Sequence, residues 1–403
     1  VSARPPVVAV LATLDTKGAE AAFVTGRLAA AGLETVLVDT GVFAPAAGPP
    51  ADIAARDAAD APDAGADRGA AVAAMAEGAH AAVLALRAQG RLDGAVAVGG
   101  TGGTGGTSIA ARALRALPLG VPKVVVSTAA SGDTRPYVGE SDLVLMPSVV
   151  DVAGLNSVST RVLANACDAV AGMVRGAPVE RPAAGATVAA SMFGVTTPAV
   201  TRARELLEER GDEVLVFHMT GTGGRALEAL ADAGALDGVL DLTTTELADE
   251  LVGGVMSAGP GRLAGGPRTP RVISLGALDM VNFGPRESVP EHFADRRLLV
   301  HNPSVTLMRT TPEECAELGS RLAARACARP GPTAVLLPLR GVSAVAVQDG
   351  PFHDPDADAA LFDAVRTGLA GSGVRVEERD TDINDPAFAE AAVAVLAELH
   401  GEE

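Results

Sequence analysis

The sequence predicts an α/β fold built as two Rossmann-like parallel-sheet domains facing each other across a cleft. Three observations carry that prediction. Short apolar runs alternate with helix-forming segments through both halves of the chain, the cadence of parallel sheets covered by helices. Glycine- and threonine-rich turns follow several of those runs, as in GAVAVGGTGGTGGTSIAARALRAL from Gly94 to Leu117. The mixed segment RGAPVERPAAG, Arg175 to Gly185, reads as a linker, which puts the domains at 1–180 and 186–403.

Taken in order, VVAVLATL (Val7–Leu14) reads as a buried strand, and DTKGAEAAFVTGRLAAAG as a helix stopped by Gly32. ETVLVDTG supplies a second strand. The Pro/Ala/Asp-rich stretch from Phe43 to Ala66 reads as a long, mobile surface excursion. The next helix carries Val72, Met75, Ala79 and Val83 at helical spacing, with His80 as a packed residue of that helix. After the glycine loop come the strand KVVVSTAA, a polar loop Ser127–Glu140, the short strand LVLM, and a helix from Ser157 or Ser159. The second half restarts with TVAASMFGVTTP, where Pro198 fits a first helical turn. GLETVLVDTG and GDEVLVFHMTG fall at the same relative place in the two halves, as do LDGAVAVGG and LDGVLDLTT. That shared cadence suggests two related domains. Strands VISLGALDM and LLVHNP, a helix opened by Pro312, the strand TAVLLPLRG and two further helices complete the chain.

Composition narrows the function. The chain has 403 residues, 48% of them apolar but only 2% aromatic, so its core is Ala, Val and Leu. A formal charge of −18 argues against nucleic-acid polymers and anionic membranes as partners. No apolar run reaches the length of a membrane span, and the first residues read as a strand, so no signal peptide is expected. Cys167, Cys315 and Cys327 have no CxxC or zinc spacing and read as reduced core thiols of a cytoplasmic protein.

The glycine loop is the strongest chemical signal. Glycines let phosphate oxygens approach the main chain, and a following helix N-terminus favours an anion. The expected phosphate cradle is Gly99, Gly100, Thr101, Gly102, Gly103, Thr104, Gly105, Gly106 and Thr107, with Thr107 or Ser108 also able to cap the helix. It is neither a P-loop, lacking the lysine, nor a full dinucleotide fingerprint, since the next strand ends without an acid. Of 32 basic residues only Lys17 and Lys123 are lysines. Lys17, beside Asp15 and Thr16, reads as a point charge for a phosphate, whereas Lys123 reads as incidental. Thr16, Ser127, Thr128, Ser131 and Gly132 follow strands and join this rim. Asp15 and Asp133 are the candidates for holding Mg²⁺, with loop or helix capping as the competing reading. In the second half polar residues again follow strands. Glu246, His218 and His301 are the candidate acid–base residues, each weighed against a histidine or carboxylate simply satisfied at a strand end. Ser343 in RGVSA is not a nucleophile-elbow serine.

The motifs GGTGGT, STAASGD, DVAGLN, SMFGVTTP, GTGGRALE, DLTTTELAD, GALDMVNFG, HNPSVTLMRTTPEE and LLPLRGVSA run in order from end to end. As a set they resemble the Tm-one-like ATP-binding domain family, that of the tomato mosaic virus resistance protein. The resemblance implies two α/β domains, ATP binding chiefly by the N-terminal one, and a homodimer. The plant role, inhibiting viral replication by binding a viral replication protein, is not expected to transfer. Two functions lead, ahead of a third, a small-molecule binding protein that takes no nucleotide. One is an enzyme that holds ATP or another phosphorylated group and acts on a small phosphorylated or carboxylate substrate in the interdomain cleft. The other is an ATP-gated protein-interaction module without turnover.

Overall fold

The computed structural model describes residues 4–46, 48–58, 67–100, 105–176 and 185–401. The chain is α/β and divides into two compact units, Val1–Glu180 and Arg181–Glu403.

Unit 1 runs β1 (Val7–Ala12), α1 (Gly18–Ala30), β2 (Glu34–Asp39), β3 (Ile53–Ala54), α2 (Arg68–Ala88), β4 (Gly94–Gly99), α3 (Gly106–Arg115), β5 (Lys123–Ser127), α4 (Arg135–Val138), β6 (Val144–Pro147) and α5 (Ser157–Arg175). Its strands form one parallel sheet in the order β3-β2-β1-β4-β5-β6. A strand rising between two helical layers buries both faces, and β1 does so. Val7, Ala9 and Leu11 pack with α2 and α3, while Val8, Val10 and Ala12 pack with α1 and α5. Helix α2 has the length and apolarity of a membrane-crossing helix. It lies in this core, with Met75, Ala79, Val83 and Leu86 buried.

Unit 2 continues with β7 (Thr187–Met192), α6 (Thr197–Glu209), β8 (Glu213–His218), α7 (Thr222–Asp232), β9 (Gly238–Thr243), α8 (Glu246–Val252), β10 (Arg271–Gly276), β11 (Met280–Phe283), β12 (Leu298–Asn302), β13 (Val305–Arg309), α9 (Pro312–Cys327), β14 (Thr333–Pro338), α10 (Pro355–Leu369), β15 (Arg375–Arg379) and α11 (Pro386–His400). Its main sheet is parallel in the order β15-β14-β10-β9-β7-β8. Helices α6 and α11 cover one face, α8, α9 and α10 the other. A separate antiparallel sheet, β11-β13-β12, was not anticipated from the apolar runs of this region.

The two halves share more than cadence. If the two-residue β3 is set aside, the five remaining strands of unit 1 and the first five of the unit 2 sheet both read second-first-third-fourth-fifth, and β15 adds a sixth beyond β14 in unit 2. The segment that carries β3 is the Phe43–Ala66 excursion, and its described part is anchored rather than loose. Asp52 accepts a hydrogen bond from Leu37 N at 2.7 Å, and Arg56 pairs with Asp39 at 2.8 Å. Residues 59–66 of that excursion lie outside the described residues. The cysteine expectation also needs correcting, since Cys327 is exposed while Cys167 and Cys315 are buried.

Candidate functional site

In an open parallel sheet the ligand crevice forms where two neighbouring strands send their connections to opposite faces. In unit 1 that point lies between β1 and β4, which pair from Val8–Gly94 to Ala12–Val98. The two turns leaving them are the DTK turn and the glycine loop, so the fold brings these two stretches to one edge. They also touch: a Cβ on Gly106 would stand 3.4 Å from Thr13 Cγ2.

The DTK turn is tight. Thr16 N and Lys17 N both donate to Thr13 O, at 3.0 and 2.8 Å, and Lys17 sits at the N-cap of α1. Asp15 accepts from Phe43 N at 3.1 Å and from Thr16 Oγ1 at 3.2 Å. Asp39, buried at the end of β2, accepts from Leu14 N and Gly41 N, at 3.1 and 2.8 Å. These carboxylates clamp the turn after β2 onto the turn after β1. The chain then crosses the start of α1, where a Cβ on Gly48 would lie 2.7 Å from Gly18 Cα. The half-buried Lys17 ammonium has no ion-pair partner among the described residues. Lys123 is its opposite: it is fully enclosed, donates to Pro118 O and Val121 O at 2.8 and 3.1 Å, and pairs with Asp142 at 2.5 Å.

At the glycine loop, Thr101, Gly102, Gly103 and Thr104 lie outside the described residues. The flanking glycines are required by close approach. A Cβ on Gly99 would come within 2.6 Å of Thr107 N, and Gly105 has φ +62° with Val72 Cγ1 2.6 Å from its missing Cβ. Neither Thr107 nor Ser108 caps the helix: Gly105 is the N-cap and has no side chain to offer. Instead Thr107 Oγ1 donates to Gly100 O at 3.1 Å and lies 2.6 Å from Ser127 Oγ. Ser127, fully buried, also accepts from Ala129 N at 2.9 Å. It therefore fastens the start of α3 to β5 and is not open to a ligand. Thr128 is half-buried, while Ser131 and Gly132 are exposed.

The metal expectation meets a specific obstacle at Asp133. Its carboxylate takes Arg135 Nε and Nη2 at 2.9 and 2.8 Å, which lowers its pKa to about 2. Among the described residues no three His, Cys, Asp or Glu side chains gather as a metal site. Asp15 and the Thr16 hydroxyl are the oxygens of this rim that fit a hard cation.

Unit 2 gives its polar strand-end residues to a different purpose. The equivalent crossing point is between β7 and β9, and there Thr243, Thr244, Thr245 and Glu246 are fully buried. Arg262, from the glycine-rich arm after α8, reaches into the sheet. It donates from Nε to Glu246 at 2.7 Å, from Nη1 to Glu228 and Asp241 at 2.8 and 2.7 Å, and again from Nη2 to Asp241. Arg271 adds contacts to Glu228 and Asp241 at 3.0 and 3.2 Å. Burial pushes Asp241 up, but the charges of Arg262 and Arg271 more than offset it and hold the carboxyl below its ordinary value. Burial raises Glu246, against the pull of Arg262.

Both oxygens of the Glu246 carboxylate are engaged within the fold. One of its oxygens accepts from Gly221 N and Gly224 N at 2.7 and 3.1 Å, and the other is held by Arg262. The carboxylate fills the glycine turn from inside, and a Cβ on Gly224 would stand 2.0 Å from Glu246 Oε2. Asp249, on the same face of α8, is buried too; it accepts from Asn282 Nδ2 at 2.7 Å and is pushed up to about 7 by burial. His218 and His301 remain exposed and flank one corner. The His218 ring lies 5.4 Å from the Phe193 ring, and His301 Nε2 is 4.0 Å from where Gly194 would carry a Cβ.

The sequence reading missed Arg262, Arg271 and Glu228. One signal was available. Asp241 interrupts the apolar strand GVLDLT, and a carboxylate on a strand buried on both faces requires a cationic partner.

Fold and rim together define a class: a two-unit α/β protein whose first sheet brings the DTK turn and the start of α3 to one strand-end edge and whose second holds a buried charge cluster. The chain belongs to the Uncharacterised protein family (UPF0261), whose N-terminal domain matches residues 6–178 and whose C-terminal domain matches residues 185–400. It is 49% identical over 400 residues to a UPF0261 protein of Rhizobium meliloti (strain 1021), covering 97% of this chain and 98% of that one. A Clostridium tetani UPF0261 protein is 45% identical over 398 residues, with the same coverage of 97% and 98%. The ToMV resistance protein Tm-1(GCR237) of Solanum lycopersicum is 44% identical over 292 residues, 70% of this chain but 39% of the tomato protein. The tomato likeness is thus a partial match, and UPF0261 is the family.

Proposed function

We propose that unit 1 binds a nucleotide, ATP in the first instance, at the β1–β4 edge. The observation that carries this reading is the convergence there of Lys17, a compact cation without an ion-pair partner among the described residues, with the start of α3. A helix N-terminus and an ammonium beside it favour phosphate oxygens. The start of α1 is a lesser contributor, because the Gly48 segment lies across it. Mg²⁺ would arrive with the phosphates, supported by Asp15 and Thr16, since this ion keeps water and phosphate ligands alongside one or two protein oxygens. The resemblance to the ATP-binding family supports the choice of ligand, and a homodimer is part of the same proposal. Calorimetric titration of the full chain with Mg-ATP and with pyrophosphate tests it. Lys17→Ala is expected to weaken both by about 10- to 100-fold, the worth of a lost charge-assisted hydrogen bond. Unchanged affinity in that variant overturns the assignment.

A second reading keeps turnover. His218 and His301 are exposed on either side of the Phe193–Gly194 corner, where an imidazole has the freedom to exchange a proton with a small carboxylate or phosphorylated substrate. Phosphate release measured with Mg-ATP and a panel of small organic acids separates this from ATP-gated binding to a protein partner. Loss of release in His218→Ala or His301→Ala would establish turnover. ATP-dependent partner capture without release would favour the interaction module.

A further inference from the structure

A cavity of about 580 Å³ opens in unit 2 where β14 and β15 end and α10 begins. That volume suits a small organic molecule, and strand ends are where such sheets hold ligands. Leu339, Ala346, Val347 and Phe362 give it an apolar wall, and Arg340, His353, Asp358 and Asp382 are its charged or titratable groups.

The charge balance decides what fits. Arg340 is spent on Asp380, donating from Nε and Nη2 at 2.7 and 2.6 Å. Arg309, behind the wall, donates to Asp358 Oδ1 at 2.6 Å and to Phe352 O at 2.9 Å. The N-terminus of α10 is already answered, because Asp354 accepts from Ala357 N and Asp356 and Asp358 lie in its first turn. Two carboxylate oxygens remain uncommitted among the described residues. Asp358 uses only Oδ1 and is 8% exposed, while Asp382 uses only Oδ1, for Asn384 N. Burial pushes the Asp358 carboxyl up against the pull of Arg309 and His353.

We propose that this cavity binds a small organic cation, with its ammonium group between Asp358 and Asp382 and its apolar body against Val347 and Phe362. The site is independent of the nucleotide edge in unit 1.

Benzylamine titrated into the full chain at pH 8 tests this, with benzoate as the isosteric anion. Saturable benzylamine binding is expected, with none for benzoate. Asp382→Asn, which keeps the oxygen facing Asn384 N, should weaken benzylamine at least tenfold. Ala359→Trp, which fills the cavity from the exposed side of α10, should abolish it. Lys17→Ala should leave it unchanged, so failure here and failure of the nucleotide reading are distinguishable. Saturable benzoate binding, no saturable benzylamine binding, or full affinity in Asp382→Asn would each overturn the proposal.

Discussion

The two glycine-rich turns, Gly99–Thr107 in unit 1 and Gly221–Gly224 in unit 2, both link an apolar strand to a helix, and they do different things. In unit 2 the turn closes on the protein's own Glu246, and Gly224 is glycine because a carboxylate oxygen stands 2.0 Å from the missing Cβ. In unit 1 the required glycines admit backbone and packing neighbours, Thr107 at Gly99 and Val72 at Gly105. The ammonium at that edge, Lys17, is left unpaired among the described residues. Glycine after a strand permits close approach, but the partner that approaches is chosen by the rest of the fold. When that partner is internal, the turn is structural.

The largest expected effect breaks the internal side of this contrast. Arg262→Met leaves Glu246 without its cation and weakens the hold on Asp241 and Glu228. Removing one partner from a buried ionic cluster costs about 3–5 kcal/mol. A fall of that size in urea-unfolding free energy is expected, with a Mg-ATP affinity matching the parent chain wherever the protein remains folded. A stability close to that of the parent chain would show that the cluster is not what holds unit 2 together.

The buried acids of unit 2 add a pH dependence of opposite sign to that of the carboxyls with resolved shifts in unit 1, Asp93, Asp133 and Asp168, which are all lowered. Asp249 is pushed up to about 7 and Asp279 to about 6, in both cases chiefly by burial, from an ordinary value of 3.8. The folded state therefore holds these protons more tightly than the unfolded chain. Their stabilisation is complete below about pH 4 and is lost as pH rises through about 6 for Asp279 and 7 for Asp249. Urea midpoints should be lower at pH 8 than at pH 5, and Asp249→Asn should flatten the difference. A variant with the slope of the parent chain removes Asp249 as its source.

Gly224→Ala is a smaller perturbation of the same turn. The added methyl must displace Glu246, and overpacking of this kind costs about 1–3 kcal/mol. Melting temperature should fall, and the loss in a chain that also carries Glu246→Ala should be smaller than the sum of the two single losses, because the clash is then gone. Strict additivity of the two changes would mean that they do not meet.

The smallest effect on stability is expected at Lys17. Lys17→Ala, which breaks no ion pair among the described residues, should change unfolding free energy by no more than about 0.5 kcal/mol, whereas Lys123→Ala, which abandons Asp142 and two carbonyls, should cost about 1–3 kcal/mol. Ligand affinity should behave the other way round. A chain that needs Lys17 for stability would place that ammonium in the fold and not at a binding edge.

Much of this was legible in the residues. Alternating apolar runs and helix formers are local signals, so β1, β4 and the helices after them stand where the pattern put them, as does β5, whereas α4 (Arg135–Val138) lies in the stretch read as a polar loop. The gathering of the DTK turn and the glycine loop follows from parallel strands with helical crossovers. The role of Glu246 was not legible, because its partners Gly221, Gly224 and Arg262 are brought to it only by folding. The β3 strand escaped for a related reason: two residues carry no periodicity, and Ile53 pairs with Val38 in a loop held by contacts of Asp52 and Arg56 that only the fold brings together.

By itself the sequence determined the α/β class, because the spacing of Val, Ala and Leu sets which face of each strand or helix must leave water. It also determined which residues carry chemistry, since two lysines among 32 cations and a run of glycines stand out without coordinates. Only the tertiary structure decided which of those residues are spent. Charge pairing acts over a few ångströms between residues far apart in the chain, so it took the folded sheet to enclose Lys123 and Glu246 while leaving Lys17 without a counter-ion among the described residues.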